Sequence, residues 1–303
     1  MDYIYIWTLI NTNINMKAIL LRFLALTLVF TAFVACSDDD DNPPPIVIND
    51  IMVAYNTDTG EFSAIDLSDG SLLLLGTATY NGSDLLGLRD MVYNPANGML
   101  YASSRATSSY HEGALFRIDP MTMQATVIND NANDDWYAVP NMEMYEGKLL
   151  GTVYWDEYNY DNYTSLVRLN LDGSIDEVIY LSYQDSDYNF SDGMGLEYGD
   201  NPNEFLITDG SYIARLNING TVIDEFDLIG VGFPGNNVGR GGGNFVGDIR
   251  SLERDADGNL YGLDRYGVLG LINVENETFT YITEFDVGGD IVALMKLPET
   301  IFQ

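Results

Sequence analysis

Two adjoining stretches decide the fold: DIRSLERDADGNLYGLD (248–264) and GVLGLINVENETFTYITEF (267–285). Together they hold four short apolar runs. The first two are joined by DADGN (255–259), whose Asp, Gly and Asn suit a tight hairpin. The same pattern recurs upstream at 90–104 with 113–128, at 141–155 with 165–181, and at 193–209 with 212–228. Within the runs the period is two. Leu115, Arg117 and Asp119 alternate with Phe116 and Ile118, as in a strand whose two faces differ. Many Gly and Tyr with few Ala and Lys likewise favour strands and tight turns over helices.

Similarity at a period of about 40–50 residues, four strands per copy, is the pattern of β-propeller blades. One blade cannot bury both of its faces, so neighbours must stack around an axis. The ends support a ring. DIVALMKLPETIFQ (290–303) matches only the first strand of a copy, and 51–78 matches only the last three. Together they make a fifth blade, closed by pairing of the N- and C-terminal strands, which removes exposed edges. The expectation is an all-β, five-bladed propeller over 46–303. Six blades is the alternative if a degenerate copy lies in 229–247, which otherwise reads as loop. The wording of the copies, DADGNLYGLD and NEFLITDGSYIARLNING above all, resembles the NHL-repeat, gluconolactonase-like and YncE-like propellers. The resemblance covers about 46–303 and speaks to fold, since propellers host many activities.

The chain opens differently. Met16-Lys17 and the apolar run that follows end at Cys36, so 1–36 reads as a signal peptide with Met16 as an alternative start. Phe33-Val34-Ala35-Cys36 resembles a lipobox, which implies lipidation of Cys36; an ordinary cleavage beside a spectator Cys is the alternative. Ser37 and Asp38–Asp41 resemble the acidic export signal of surface lipoproteins of the Bacteroidota, which implies a lipid anchor in the outer membrane and exposure at the cell surface. A solvated spacer is the other reading of that run. Residues 37–45, ending in Pro43-Pro44-Pro45, form a stiff tether.

Charge and composition exclude several functions. There are 46 acidic and 13 basic residues, a net charge of −33. Nucleic acid is excluded as a partner, because its phosphates need Lys and Arg, and so is adsorption to anionic lipid. With Cys36 at the cleavage junction, the mature fold has no disulfide and no Cys-based zinc site. A Ser-His-acid triad has only His111 to draw on.

The connections place the candidate site. Those between strands 1–2 and 3–4 are uniformly short. Those between strands 2–3 (105–113, 155–164) and from strand 4 to the next blade (129–140, 182–193, 229–247) are long, and insertions confined to one face of a repeat array mark its binding face. On that face Asp90, Asp192, Asp248 and Asp290 begin first strands, with Asn141 in the remaining blade. They either ring the channel mouth, where Ca²⁺ would find oxygen ligands, or cap their own turns. Arg89, Arg105, Arg240 and Arg265 gather there, suited to a carboxylate or a sugar hydroxyl or else to pairing with the aspartates. Trp136 and Trp155 could stack on a sugar or pack between loops. Ser191-Asp192-Gly193 with Asp209 resembles metal-ligand positions of gluconolactonase-like propellers, without the partner residues of that pattern. Asp255–Asn259 resembles the start of an EF-hand loop but lacks the distal Glu, and reads as a turn. Glu143, Glu197 and Glu253 share one position in three blades, which reads as repeat ancestry. The function expected is non-catalytic binding of a glycan, peptide or partner protein by a monomer. The alternative is a carboxylate- or Ca-dependent hydrolase of glycosidase or lactonase type in the channel. No cofactor is expected beyond that Ca²⁺.

Overall fold

A computed structural model describes residues 50–105, 113–131, 136, 139–153, 165–184, 186–187, 195–233, 246–285 and 291–302. Its strands follow the repeat. β1 (Asp50–Asn56), β2 (Glu61–Ile65) and β3 (Leu72–Thr77) are followed by a short ribbon, β4 (Thr79–Tyr80) and β5 (Ser83–Asp84). The next blade is β6 (Leu88–Asn94), β7 (Met99–Ser104), β8 (Leu115–Asp119) and β9 (Gln124–Asn129). Then come β10 (Met142–Tyr145), β11 (Lys148–Thr152), β12 (Ser165–Leu169) and β13 (Ile175–Tyr180), with a ribbon of β14 (Ser182–Tyr183) and β15 (Ser186–Asp187). β16 (Leu196–Tyr198), β17 (Glu204–Asp209), β18 (Tyr212–Asn217) and β19 (Val222–Asp227) form another blade, followed by β20 (Ile229–Val231). The last complete blade is β21 (Ile249–Arg254), β22 (Leu260–Asp264), β23 (Val268–Asn273) and β24 (Thr278–Glu284). The chain ends with β25 (Ile291–Pro298) and a 3₁₀ turn, Glu299–Phe302.

β25 pairs antiparallel with β1, from Asp50 opposite Pro298 to Asn56 opposite Ile291. The sheet order β25-β1-β2-β3 is therefore the fifth blade, shared between the ends of the domain. The fold is an all-β, five-bladed propeller. Residues 229–231, expected as loop, form β20, which lies parallel to β24. The stretch 229–247 thus supplies an added strand and no sixth blade among the described residues.

Five apolar clusters fill the junctions between blades. Val53, Tyr55 and Phe62 meet Leu88, Leu100 and Phe116. Val92 and Tyr101 meet Met142 and Leu149. Leu150 and Leu166 meet Phe205 and Ala214. Leu206 and Ile213 meet Ile249 and Leu260. Tyr261 and Leu263 meet Ala54 and Leu294. Neighbours in sequence serve opposite junctions: Leu100 and Tyr101, Leu149 and Leu150, Phe205 and Leu206, Leu260 and Tyr261. That is the alternation of a strand buried on both faces.

Each hairpin between strands three and four needs one residue in the left-handed region. Gly70, Gly173 and Gly220 supply it at φ of 74°, 80° and 87°. Met123 and Glu277 occupy the same place at 54°, at a conformational cost that glycine avoids.

Candidate functional site

The residues near the axis divide into two groups. In the first, Asp90 and Glu197 are buried and Glu143 and Glu253 half-buried. Asp90, on β6, is 4% exposed, and its Oδ2 accepts the N–H of Met142 on the next blade at 2.7 Å. Burial raises its pKa to about 8, against the lowering effect of the Met142 and Met91 N–H groups. Two residues further along the inner strands comes the repeated position that holds Val92, Glu143, Glu197, Glu253 and Met295. Glu197 Oε1 accepts the N–H of Tyr198 at 2.6 Å, and its Oε2 accepts the N–H of Arg254 on the next blade at 3.0 Å. Glu253 repeats the arrangement with Arg254 and, one blade on, Lys296, both at 3.0 Å. Glu143 accepts the N–H of Met144 at 2.7 Å.

Burial is the main cause that raises all three glutamate pKa values, and for Glu143 and Glu253 the charge of Glu197 is the next. The structure thus brings together three residues that the sequence assigned to repeat ancestry. Glu197 and Glu253 fasten neighbouring inner strands, while Glu143 bonds only within its own strand. Smaller side chains do the same work elsewhere: Ser251 Oγ accepts the N–H of Leu294, and the Thr208 hydroxyl donates to the Ile249 carbonyl. Among the described residues no group of three or more acids, His or Cys is placed to hold a metal ion.

The second group lies on the face of the long connections, where the Asp248–Arg265 pair is half-exposed. The turn after β22 carries Asp264, Arg265 and Tyr266. Asp264 is buried and accepts the N–H groups of Tyr266 and Val268, at 2.8 and 2.9 Å. Burial is the largest influence on its carboxyl, raised to about 6. Gly247 packs against that carboxylate so closely that a Cβ would fall 2.6 Å from Oδ2. Arg265 Nη1 lies 2.5 Å from Asp248 Oδ2, with the two side chains 44% and 41% exposed. The guanidinium also sits 4.8 Å from the Tyr266 ring centre. The hairpin of the preceding blade, Asp209–Tyr212, closes on this patch: the Ile249 N–H donates to the Gly210 carbonyl, and Tyr212 is 52% exposed.

The expected site residues therefore separate. Asp248 and Arg265 pair on the open face, and Asp209 belongs to the hairpin whose Gly210 lies next to Asp248. Arg89 and Arg105 are half-buried, and the Arg105 N–H donates to the Gly87 carbonyl at 2.7 Å. Two expectations are corrected. Asp90 does not line an open mouth, because it is enclosed and tied to Met142. Trp136 is 1% exposed, packs among Val92, Val139 and Val153, and donates its indole N–H to the Gly113 carbonyl, so it offers no ring face to a sugar. Asn141 also turns inward, bonding to both the hydroxyl and the N–H of Thr152. Asp255 accepts the N–H groups of Asp257 and Asn259 and so caps a turn, as expected. Trp155, Asp192, Arg240, Asp290, His111 and Cys36 lie outside the described residues.

Residues 147–177 match a family described as "Domain of unknown function (DUF5122) beta-propeller". No curated protein matches the chain. Among solved structures, the nidogen/laminin complex aligns at 10% identity and a TM-score of 0.51, over 82% of this chain and 98% of that one. A protein of unknown function from Bacteroides caccae aligns at 12% identity and a TM-score of 0.46, over 83% and 100%. Likeness at this identity speaks to the fold alone: the chain is a β-propeller.

Proposed function

We propose that this propeller is a non-catalytic binding protein, lipid-anchored through Cys36 at the bacterial outer surface, that presents the face of its long connections to a glycan, a peptide or a partner protein. The observation that carries the reading is the half-exposed ion pair of Asp248 and Arg265 with Tyr266 beneath the guanidinium, next to a hairpin that carries the exposed Tyr212. A guanidinium has five N–H donors in a planar fork, so its bond to Asp248 leaves donors for a carboxylate or a sugar hydroxyl, and the tyrosine rings add apolar contact. Two of the inner acids support the same reading. A general acid must reach its substrate, whereas Asp90 and Glu197 are 4% exposed and bonded to backbone N–H groups.

Glycan and peptide arrays identify the ligand, and Arg265→Ala tests the site. Loss of one charge-assisted contact of about 1.5–3 kcal/mol weakens binding roughly ten- to a hundredfold. Undiminished binding by that variant contradicts the proposal. The anchor is tested separately. Cys36→Ala releases the protein from membranes and abolishes labelling by a fatty-acid analogue if the acyl chains hold it there. Equal membrane retention with no label in either form refutes the anchor.

A further inference from the structure

The outer strands of the blades are not alike. β9 is flanked by β4, running parallel, with Thr79 opposite Gln124. β24 is flanked by β20, also parallel, over three residue pairs. β19 meets β14 through a parallel bridge between Ser182 and Thr221. In each case the segment leaving one blade passes the hairpin of the next and turns along its outermost strand. The N–H groups of Thr79, Ser182 and Ile229 mark the passage, donating to the carbonyls of Met123, Gly220 and Glu277.

β3 and β13 have no such strand among the described residues, and β13, IDEVIY, carries two acids where β3 carries none. The connection that would supply one to β3 is short. Phe285 is buried and its N–H donates to the Gly267 carbonyl, while Ile291 already begins the innermost strand β25.

The bare edge of β3 is apolar and uncharged. β3 reads LLLLGT, with Leu73 60% and Leu74 57% exposed and no Lys or Pro to blunt it. Proteins normally guard such an edge with charge, proline or a covering segment. Successive side chains point to opposite faces, so these two leucines present apolar surface on both sides of the strand. The surroundings carry one sign of charge. Between residues 50 and 88 stand Asp50, Asp58, Glu61, Asp66, Asp69 and Asp84 and no Lys or Arg, and 273–290 has only acids among its charged residues.

We propose that the outer edge of β3 docks an extended segment of a partner protein, alternately basic and apolar, as an added strand. Its backbone bonds to β3, its apolar side chains cover Leu73 and Leu74, and its cations meet the surrounding carboxylates. This surface is separate from the Arg265 face.

The test uses the full chain and three fluorescent synthetic peptides, KVKVKVKV, EVEVEVEV and KVKPKPKV, read by anisotropy. The proposal expects the first to bind at least tenfold tighter than either of the others. It also expects Leu73→Ser with Leu74→Ser to weaken that binding at least fivefold at an unchanged melting temperature, as both side chains are exposed. Equal binding of the proline peptide means general attraction to an acidic protein and overturns the proposal. So does wild-type affinity in the serine variant. A wild-type dimer in sedimentation that the serine variant abolishes would show that the edge takes a second copy of this chain, which overturns the proposal as well.

Discussion

Asp90 stands within the inner strand β6, whereas Asp248 stands just before the inner strand β21 of another blade. Asp90 is enclosed and spends its carboxylate on the Met142 N–H. Asp248 stands 41% exposed and faces a guanidinium that is itself half in solvent. The same side chain thus does two jobs according to what surrounds it. In the axis, where water is scarce, an acid is worth keeping only if it satisfies buried backbone donors. On the face, where water screens it, an acid adds little stability and remains able to recognise. Three of the five blades extend the first job to Glu143, Glu197 and Glu253, whereas Val92 and Met295 fill the same position with apolar side chains.

The contrast is broken most severely by removing 288–303, which strips β25 from the axis and unpairs β1. Circular dichroism melting should then show loss of the cooperative transition or aggregation. A truncated chain that melts like the parent would mean the ring does not depend on closure. Asp90→Ala comes next. It leaves the buried Met142 N–H without its acceptor at a cost of about 1–3 kcal/mol, or roughly 2–12 °C in a domain of this size.

Proton linkage follows. Carboxyls whose folded pKa is raised contribute stability that is whole below the unfolded value, about 4, and is lost as pH rises through the folded one. With Asp264 at about 6 and Asp90 at about 8, and the three glutamates also raised, the melting temperature should fall between pH 5 and pH 8. The exposed Asp66, Asp172 and Asp176 have lowered values and act oppositely, their contribution failing only below about pH 4. Glu143→Gln, which keeps an acceptor for Met144 without a charge, should flatten the slope between pH 5 and 8. An unaltered slope in that variant would remove Glu143 from the account.

Much of this was legible in the sequence, for identifiable reasons. Blade count and closure follow from local signals: period-two runs, hairpins such as NPANG and LDGS, and unmatched fragments at the two ends. β20 was not legible, because Ile229–Val231 becomes a strand only by meeting the edge of β24. The convergence of the glutamates was half legible. Their shared position in the repeat was visible, and the missing inference was that an inward position on an inner strand becomes one crowded axis once the ring closes. For Trp136 the sequence left stacking on a sugar and packing between loops both open, because nothing local fixes which way the side chain turns; the Gly113 carbonyl and the surrounding apolar cluster decide for packing.

The smallest effect on stability carries the most weight. Arg265→Ala removes an exposed ion pair, worth at most about 1 kcal/mol, so its unliganded melting temperature should stay within roughly 4 °C of wild type. The direct test of the division between axis and face is one thermal-shift experiment on wild type, Arg265→Ala and Asp90→Ala, each with and without the ligand that the arrays select. The account predicts that Asp90→Ala melts lower yet keeps the ligand-induced rise, while Arg265→Ala melts as wild type and loses it. A ligand-induced rise retained by Arg265→Ala, or an unliganded loss in that variant as large as that of Asp90→Ala, would contradict it.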